Sequence, residues 1–369
     1  MIKQSFSFLA YIFITSKQVL GMVTQVEKRK SEHLQVCLKK DVSFKEKTTL
    51  LECVELNYKA LPEINFAEVD LSTEFLGKKF SFPFLVSAIT GGAQASKKIN
   101  LDIAKACQDL GIGMGLGSMR AMLQQPSLME TYFVRDVAPD IFLAGNIGAA
   151  QLKQYSPHEI NDALQAIEAN ALAIHINAAQ EAMQPEGDLD FSGVIAKIAE
   201  YADTLSVPVY VKEVGHGVSY EVASALRETN IKAIDVQGAG GTSWTRVDAL
   251  RHKKSFGEEF RDFGTPTTVS LIETKNALKG APKKIVASGG IRNGLDAVKA
   301  IVIGANMTGN ALPVLKAQDK KGAKGVADYL QNMKTEMQIT SFLLGCKNVE
   351  ELHKQQYVVL GKLKEWLKQ

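Results

Sequence analysis

Cysteine is scarce in this chain, and the few cysteines form no recognisable framework. Cys37, Cys53, Cys107 and Cys346 show no CxxC spacing, which argues against a zinc site and against the disulfide sets of small secreted domains. We interpret them as free, buried thiols of a protein kept in a reducing compartment. We therefore expect a cytoplasmic protein.

The chain also lacks a large excess of positive or negative charge, and it lacks long apolar runs. The formal net charge is +3 at pH 7, which is too small to indicate nucleic acid or a membrane surface but leaves anionic small molecules open. The apolar run from Phe6 to Ile14 is too short to span a bilayer, which takes about 20 apolar residues. It resembles the core of a signal peptide, but no clear cleavage site follows it. We expect residues 1–22 to be an extension or a start-site artefact, with the working protein beginning near Met22; secretion is the alternative.

What the chain has instead is a regular alternation of short apolar runs and alanine-rich helical patterns. The predicted strands are residues 84–87, 111–115, 141–145, 171–174, 208–213, 233–236, 285–288 and 300–303. Eight strands alternating with helices predict an α/β fold, a (β/α)8 TIM barrel forming a single domain with an N-terminal extension. A doubly wound open sheet is the alternative. We divide the remaining chain into an N-terminal arm and lead-in (23–83), the barrel (84–316) and C-terminal helices packing on the barrel (317–369).

Polar residues concentrate after the fourth predicted strand. His175 and Asn177 continue one face of this buried strand, where polar groups need partners. Side chains with oxygen atoms follow at Gln180, Glu181, Gln184, Glu186 and Asp188. Hard cations such as Mg²⁺ take oxygen ligands of this kind together with substrate phosphate. We predict a cation site at this strand end, with a solvated loop as the alternative.

Two loops near the end of the predicted barrel indicate a phosphate pocket. Gly289, Gly290 and Arg292 follow the seventh strand, and residues 304–311 follow the eighth. In a barrel these loops and a helix N-terminus bind phosphate, because backbone N–H groups and the helix dipole face the anion. Arg292 adds a charge-assisted hydrogen bond to the phosphate or, alternatively, pairs with a neighbouring carboxylate.

Other candidates belong to the same end of the barrel. Lys212 ends the fifth strand, and burying its charge without a partner is costly, so a functional role is favoured. The glycine-rich loop 237–244 ends in Trp244, which forms either an aromatic wall for a ligand or a core anchor. The stretch to residue 264 is long for such a connection and indicates a lid or binding loop.

Three further features have simpler interpretations. The basic cluster 27–33 is either a solvated face or an arm that closes over an anionic ligand. Thr265 and Pro266 predict the N-cap and first residue of a helix that runs towards residue 277. We interpret His216 as a surface or helix-start histidine.

Taken together, these motifs match a known family. They are Arg29-Lys30 with His33, Thr90–Gly92, Gly117–Arg120, Asn146–Ala149, His175–Asp188, Lys212–Gly215, Gly240–Trp244 and Ser288–Arg292. In this order they resemble type 2 isopentenyl diphosphate isomerase, the flavin-dependent form of that enzyme, from about Glu27 to Leu352. The resemblance implies an FMN-binding barrel that isomerises isopentenyl diphosphate to dimethylallyl diphosphate in isoprenoid biosynthesis, by proton addition and removal at a reduced flavin. It also implies Mg²⁺, NADPH as reductant, no nucleic acid or membrane partner, and a homo-oligomer (tetramer or octamer).

The resemblance assigns roles to individual residues. It implies cofactor contacts from Ala88, Ile89, Thr90, Ser118, Asn146, Lys212, Thr242, Gly289, Gly290, Arg292, Ala311 and Leu312. It implies substrate contacts from Arg29, Lys30, His33, Ser118, Met119, Arg120, His175 and Gln180. Gln180, Lys212, Trp244 and His175 would be catalytic, and Glu181 would ligate Mg²⁺.

Four positions depart from the family pattern. Ile89 stands where relatives usually have Met, Met119 where they have Gln, Gln237 where they have Ser, and Asp248 where they have Glu. Two other functions stay open: a flavin-dependent barrel oxidoreductase such as a 2-hydroxy acid oxidase, which would have no reason for Gln180 and Glu181, and a non-catalytic flavin-binding scaffold.

Overall fold

Eight parallel strands close into a barrel in the computed structural model, which describes residues 28–253 and 257–368. In chain order the strands are β1 (Phe84–Val86), β2 (Gly113–Gly115), β3 (Leu143–Gly148), β4 (Ala171–His175), β5 (Val209–Lys212), β6 (Ala233–Asp235), β7 (Lys284–Ser288) and β8 (Met307–Asn310). Each strand pairs with the next, and β8 pairs with β1. The predicted TIM barrel is therefore confirmed. The predicted extension, residues 1–22, lies outside the described residues.

The predicted eighth strand is wrong. Residues 300–303 end the helix Gly294–Ile303, which begins where the Asn293 side chain accepts a hydrogen bond from the Asp296 backbone N–H at 2.8 Å. The strand β8 follows four residues later and pairs with β7 and β1. Residues 300–303 are all buried, and a short buried apolar run has no periodicity that distinguishes helix from strand.

Helices cover the outside of the barrel. They span residues 28–39, Gln94–Leu110, Arg120–Gln124, Pro157–Ala166, Ala178–Met183, Val194–Thr204, Tyr220–Arg227, Trp244–His252, Thr267–Ala277, Gly294–Ile303, Leu312–Leu343, Val349–His353 and Gly361–Trp366. Short 3-10 turns lie at Leu51–Cys53, Phe66–Glu68, Pro126–Thr131 and Ala149–Lys153. In the described ranges, no helix is both long and apolar enough to cross a membrane.

One helix starts differently from the prediction. The N-cap of Thr267–Ala277 is Pro266, not Thr265. The backbone N–H of Thr265 donates to the His216 carbonyl at 2.7 Å, and its carbonyl accepts from the Ala239 N–H at 2.8 Å. These bonds hold Thr265 in the loop layer, so the helix begins later.

Aromatic side chains close the end of the barrel where the strands begin. Phe75 lies in a hairpin formed by Thr73–Phe75 and Lys78–Phe80, and its ring centroid lies 5.5 Å from that of Phe142 and 6.4 Å from that of Tyr210. Phe142 precedes β3 and Tyr210 lies near the start of β5, so this cluster seals the amino-terminal end. The carboxyl ends of the strands are left to form the site.

The cysteines are free thiols, as predicted. Cys37, Cys107 and Cys346 are buried, whereas Cys53 is partly exposed. Burial, together with the charge of Asp248, raises the pKa of Cys37 to about 12.

Candidate active site

A cavity of about 440 Å³ opens at the carboxyl ends of the strands. The loops after the strands form its floor, and helix 28–39 lies along one side. Most of the predicted site residues line it: Arg29, Lys30, His33, Ala88, Ile89, Ser118, Arg120, Asn146, His175, Gln180, Glu181, Lys212, Thr242, Trp244, Gly289, Gly290, Arg292, Ala311 and Leu312. The barrel thus brings together residues that are up to 283 positions apart in the chain (from Arg29 to Leu312).

Two predicted site residues do not line the cavity. The Thr90 hydroxyl is 2.7 Å from that of Ser96, and Thr90 is 2% exposed. The Met119 side chain is fully buried and packs over Gly145 on β3. Both residues face the core, although the Met119 N–H still supports the site by donating to the Asn146 carbonyl at 2.7 Å.

The loops after β6 and β7 meet in a narrow glycine cradle. Gly289 and Gly290 have φ values of +92° and +75°, in the left-handed region that favours glycine. A Cβ atom on Gly290 would lie 2.4 Å from the Thr49 Cγ2 and 2.8 Å from the carbonyl carbon of Gly240. Arg292 donates to the Gly240 carbonyl at 2.8 Å. This backbone-lined cradle beside the N-terminus of the helix that begins at Leu312 has the chemistry of a phosphate site.

Buried polar atoms along the cavity have no protein partner among the described residues. They include the Ser87 Oγ and the Asn310 Oδ1. The Asn310 amide nitrogen donates to the Ile291 carbonyl at 3.0 Å and to the Tyr329 hydroxyl at 2.6 Å, so the oxygen is left for another donor. Such atoms are costly to bury alone, and they fit a large polar ligand that lies between them.

His175 is oriented by a fixed hydrogen-bond chain. Asn146 donates through Nδ2 to the Leu116 carbonyl at 3.0 Å, and its Oδ1 lies 2.8 Å from the His175 Nδ1. The amide oxygen accepts, so Nδ1 carries the hydrogen and Nε2 is the free ring nitrogen. Burial, and then the charges of Lys212, Lys30 and Arg29, lower the pKa of His175 well below its ordinary value. These effects favour the neutral imidazole.

Lys212 is 4% exposed and lies at the end of β5 beside Asp235 on β6. Its Nζ donates to the Glu213 carbonyl at 2.9 Å. Burial lowers the pKa of Lys212, and the charges of Asp235 and Glu213 partly offset this effect. Asp235 accepts from the Ser288 hydroxyl at 2.6 Å. A buried ammonium is suited to hold a developing negative charge nearby.

Three basic side chains line the same cavity. Arg29 and Lys30 come from helix 28–39, and Arg120 begins the short helix Arg120–Gln124 that follows β2. Burial, with repulsion from Arg29 and Arg120, lowers the pKa of Lys30 to about 7. Arg120 donates to the Asp188 carboxylate at 3.0 Å, and its Nε has no partner in the described structure. The basic cluster therefore lines a site rather than a solvated face.

Glu181 lies next to these cations. Its two carboxylate oxygens accept from the Asn177 side chain at 2.8 Å and from the Asp188 N–H at 2.9 Å, and burial raises its pKa. Within residues 28–253 and 257–368 no three or more His, Cys, Asp or Glu side chains form a metal cluster. Mg²⁺ commonly binds to one or two carboxylates together with phosphate oxygens of a ligand, and Glu181 offers one such carboxylate.

Sequence reasoning missed Arg251. It lies on the helix Trp244–His252 and donates to Asp248 at 2.7 Å, to Glu32 at 3.2 Å and to Glu186. Asp248 is fully buried and also contacts the His33 Nε2 at 2.8 Å. The i, i+3 spacing of Asp248 and Arg251 was a usable signal for their pairing, but their partners are more than 60 residues away in the chain. Gln151 was also missed; it donates to Asp188, 37 residues further along the chain, at 2.7 Å.

The interpretation of His216 is wrong. It is 5% exposed, and its ring centroid lies 5.9 Å from that of Phe44. Its backbone carbonyl and Cα pack against Gly264. His216 is buried because the long loop after β6 folds back over it.

Comparison with known proteins identifies the family. The sequence profile of the FMN-dependent dehydrogenase family matches residues 23–130 and 140–359. An isopentenyl-diphosphate delta-isomerase of Pyrococcus abyssi is 44% identical over 360 residues, covering 94% of this chain and 96% of the relative. One of Methanosarcina mazei is 42% identical over 356 residues, with coverage of 94% and 96%. The chain belongs to the isopentenyl-diphosphate delta-isomerase family.

The solved structures with a similar fold are less similar to this chain in sequence. Flavocytochrome b2 aligns with a TM-score of 0.66 at 19% identity, covering 90% of this chain and 86% of that chain. A putative lactate oxidase of Pediococcus acidilactici aligns with a TM-score of 0.64 at 17% identity, with coverage of 92% and 94%. At these identities the likeness concerns the barrel alone.

Two departures from the isomerase pattern have visible consequences. The Gln237 side chain donates to Asp235 at 3.0 Å, so the amide turns inward beside Lys212. Asp248 accepts from Gln180 at 3.2 Å in addition to its contacts with His33 and Arg251. The shorter carboxylate is thus fully engaged. Nothing in the structure explains Ile89 in place of Met.

Proposed function

We propose that this protein interconverts isopentenyl and dimethylallyl diphosphate, with FMN in the barrel mouth and Mg²⁺ at Glu181. The observation that carries the proposal is the half-buried cluster of Arg29, Lys30 and Arg120 that lines the cavity with Glu181. Three basic side chains that line one cavity favour a polyanion, and an adjacent carboxylate allows a divalent ion to bridge protein and ligand. A diphosphate supplies both the negative charge and the metal-binding oxygens.

The remaining cavity suits a flavin mononucleotide. The cradle of Gly289 and Gly290, with Arg292 and the helix N-terminus at Ala311 and Leu312, would hold the phosphate. Residues on the opposite side would hold the ring: Ala88, Ile89, Ser118, Asn146, Lys212 and Thr242. When bound and reduced, FMN supplies acid–base chemistry that the few ionisable side chains beside the substrate do not.

The protein's own residues orient the substrate and limit side reactions. Moving the double bond adds a proton at one carbon and removes one at another, so electrons balance without net redox change. Lys212 would keep its proton at Nζ and stabilise negative charge close to it. His175 offers its free Nε2 to the diphosphate and becomes a donor on protonation. Gln180 carries no titratable proton, so its role is to position the reacting carbons, while Trp244 covers them and excludes water.

The wider setting is part of the same proposal. We propose NADPH as the reductant of the flavin, a cytoplasmic location, a role in isoprenoid biosynthesis, and a homo-oligomer, tetramer or octamer, that binds neither nucleic acid nor membrane. Light scattering on the purified full-length chain tests the assembly, and a monomeric mass would contradict it.

The deciding experiment follows the substrate carbon atoms. FMN-loaded full-length protein is reduced anaerobically with NADPH or dithionite in D2O, then given Mg²⁺ and isopentenyl diphosphate, and the products are followed by NMR. We expect dimethylallyl diphosphate that contains deuterium, with no net oxidation of the flavin. If the flavin binds and is reduced while the substrate stays unchanged, the isomerase proposal is wrong, and a flavin oxidoreductase acting on another substrate becomes the better hypothesis.

A further inference from the structure

Arg251 occupies a junction between three separate parts of the chain. Its side chain is 6% exposed and reaches Glu32 on helix 28–39, Asp248 on its own helix, and Glu186 in the loop after β4. A guanidinium group has five N–H donors in a rigid plane and suits contacts with several carboxylates at once. Lysine, with a single ammonium, does not match this geometry.

The helix that Arg251 contacts carries the substrate cations. Arg29, Lys30 and His33 all lie on helix 28–39. Its later part packs through Cys37 against Val247 and Leu315. Its earlier part includes the polar contacts of Glu32 and His33 with Arg251, at 3.2 and 3.1 Å. The position of the cations therefore depends on contacts with Arg251.

The loop that Arg251 contacts orients the other half of the site. Two residues after Glu186, Asp188 donates its N–H to Glu181 at 2.9 Å and accepts from Arg120 at 3.0 Å. A shift of this loop would therefore move the carboxylate and the third cation together. Arg251 connects the two halves through Glu32 and Glu186.

The electrostatics favour a permanently charged Arg251. Burial alone would lower its pKa, but the hydrogen bond to Glu186 and the charges of Asp248 and Glu186 outweigh burial and raise it. Without the guanidinium, Asp248 would stay fully buried with less compensation, which is costly. Glu32, Asp248 and Glu186 would then repel one another.

We propose that Arg251 is a positioning residue that holds helix 28–39 and the loop after β4 closed around a diphosphate and its divalent cation. This inference rests on the proposed function for the identity of the ligand, but it concerns the geometry that binds the ligand. It predicts that loss of Arg251 weakens diphosphate binding, makes helix 28–39 less ordered and leaves the flavin pocket intact.

The test compares Arg251→Gln with a matched control on the same helix, Arg246→Gln. Arg246 pairs with Glu258 and does not line the cavity. The probe is inorganic pyrophosphate with Mg²⁺, titrated calorimetrically into FMN-loaded full-length protein. We expect Arg251→Gln to weaken binding about 10- to 100-fold, the usual effect of losing a residue that orients a ligand-binding group. Arg246→Gln should change the affinity less than about twofold, as surface pairs do.

Limited proteolysis distinguishes local loosening of helix 28–39 from a general loss of stability, because only general loss would speed cleavage throughout the chain. Trypsin cleavage after Arg29 or Lys30 should be slow in the wild-type protein with Mg²⁺ and pyrophosphate, and fast in Arg251→Gln. Flavin content and circular dichroism should be unchanged. In turnover experiments the KM for the diphosphate substrate should rise more than kcat falls.

A double-mutant cycle decides whether Arg251 affects ligand binding through its contact with helix 28–39. Glu32→Gln alone should weaken pyrophosphate binding. The double variant should lose less binding free energy than the sum of the losses in the two single variants. Additive effects, or wild-type affinity in Arg251→Gln, would overturn the inference. If Arg251→Gln fails to fold, Glu32→Gln tests the same contact from its more exposed partner, and unchanged affinity there refutes it. Because pyrophosphate binding needs no turnover, absence of isomerase activity would refute the proposed function without deciding this test.

Discussion

Binding of a diphosphate should make the protein take up a proton at Lys30. Burial and the neighbouring charges of Arg29 and Arg120 lower the pKa of this lysine to about 7, so at about pH 8.5 only about 3% of the molecules carry the ammonium form. A bound diphosphate places negative charge beside Lys30 and returns its pKa towards about 10.4, the ordinary value of lysine. We therefore expect the uptake of about one proton at pH 8.5 and about 0.1 at pH 6.

Calorimetry can count this proton directly. Mg²⁺ and pyrophosphate are titrated into the full-length protein in two buffers with different ionisation enthalpies, and the difference in binding heat gives the protons exchanged. Protons released by pyrophosphate itself are the same for every variant, so they cancel in the comparison with Lys30→Met. Lys39→Met, an exposed lysine on the same helix, should behave like the wild type. Equal proton uptake in Lys30→Met and wild type would refute the assignment.

The same lysine makes the stability of the unliganded protein depend on pH. Its pKa is lowered in the folded chain, so the unfolded chain binds more protons between about pH 7 and the ordinary lysine value. The free energy of unfolding should therefore rise with pH across this window, by up to about 1.4 kcal/mol per pH unit from this group. Denaturant titrations at several pH values check the sign, and the contribution should vanish in Lys30→Met.

Three shorter predictions concern other parts of the site and fold. Glu181→Gln should raise the Mg²⁺ concentration needed for turnover at least tenfold, because a carboxylate ligand is lost. The FMN absorbance after gel filtration should stay at the wild-type level. An unchanged Mg²⁺ dependence would contradict the metal assignment. Gly290→Ala should release FMN on ultrafiltration, because the new Cβ would lie 2.4 Å from the Thr49 Cγ2. The positive φ adds about 1 kcal/mol or more of backbone strain. Full retention of FMN would argue against the phosphate cradle. Tyr201→Phe removes a part-buried hydrogen bond of 2.6 Å to the Tyr155 carbonyl and a buried one of 3.3 Å to the Leu152 carbonyl, and it should lower the free energy of unfolding by about 1–3 kcal/mol without changing KM. Chemical denaturation measures the loss, and a changed KM would show that this distant helix contact affects the site.

Much of the architecture could be predicted from sequence because its signals are local. Seven of the predicted strands coincide with strands of the barrel, since each combines a short apolar run with polar or glycine punctuation at its end. Gly289 and Gly290, which we expected to bring backbone N–H groups close to an anion, both have positive φ. The resemblance to a flavin-dependent isomerase then indicated which strand ends share one cavity.

Other features depended on packing that no local pattern encodes. The run 300–303 is as apolar as a strand, but it lies on a helix because Asn293 caps the chain there, and β8 takes up the pairing beside β1 instead. Thr90 and Met119 belong to the sequence motifs, but their side chains face the core.

Sequence alone determined the barrel, the glycine-rich loops and the residue types at the strand ends, because strand periodicity, glycine and charge act over a few neighbouring residues. The tertiary structure alone decided how those residues are coupled. Arg251 meets Glu32 across 219 positions and Glu186 across 65, and Lys30 has a pKa of about 7 only because helix 28–39 buries it beside Arg120. Burial and long-range charge pairing are properties of the folded chain, so they become visible only when distant segments meet.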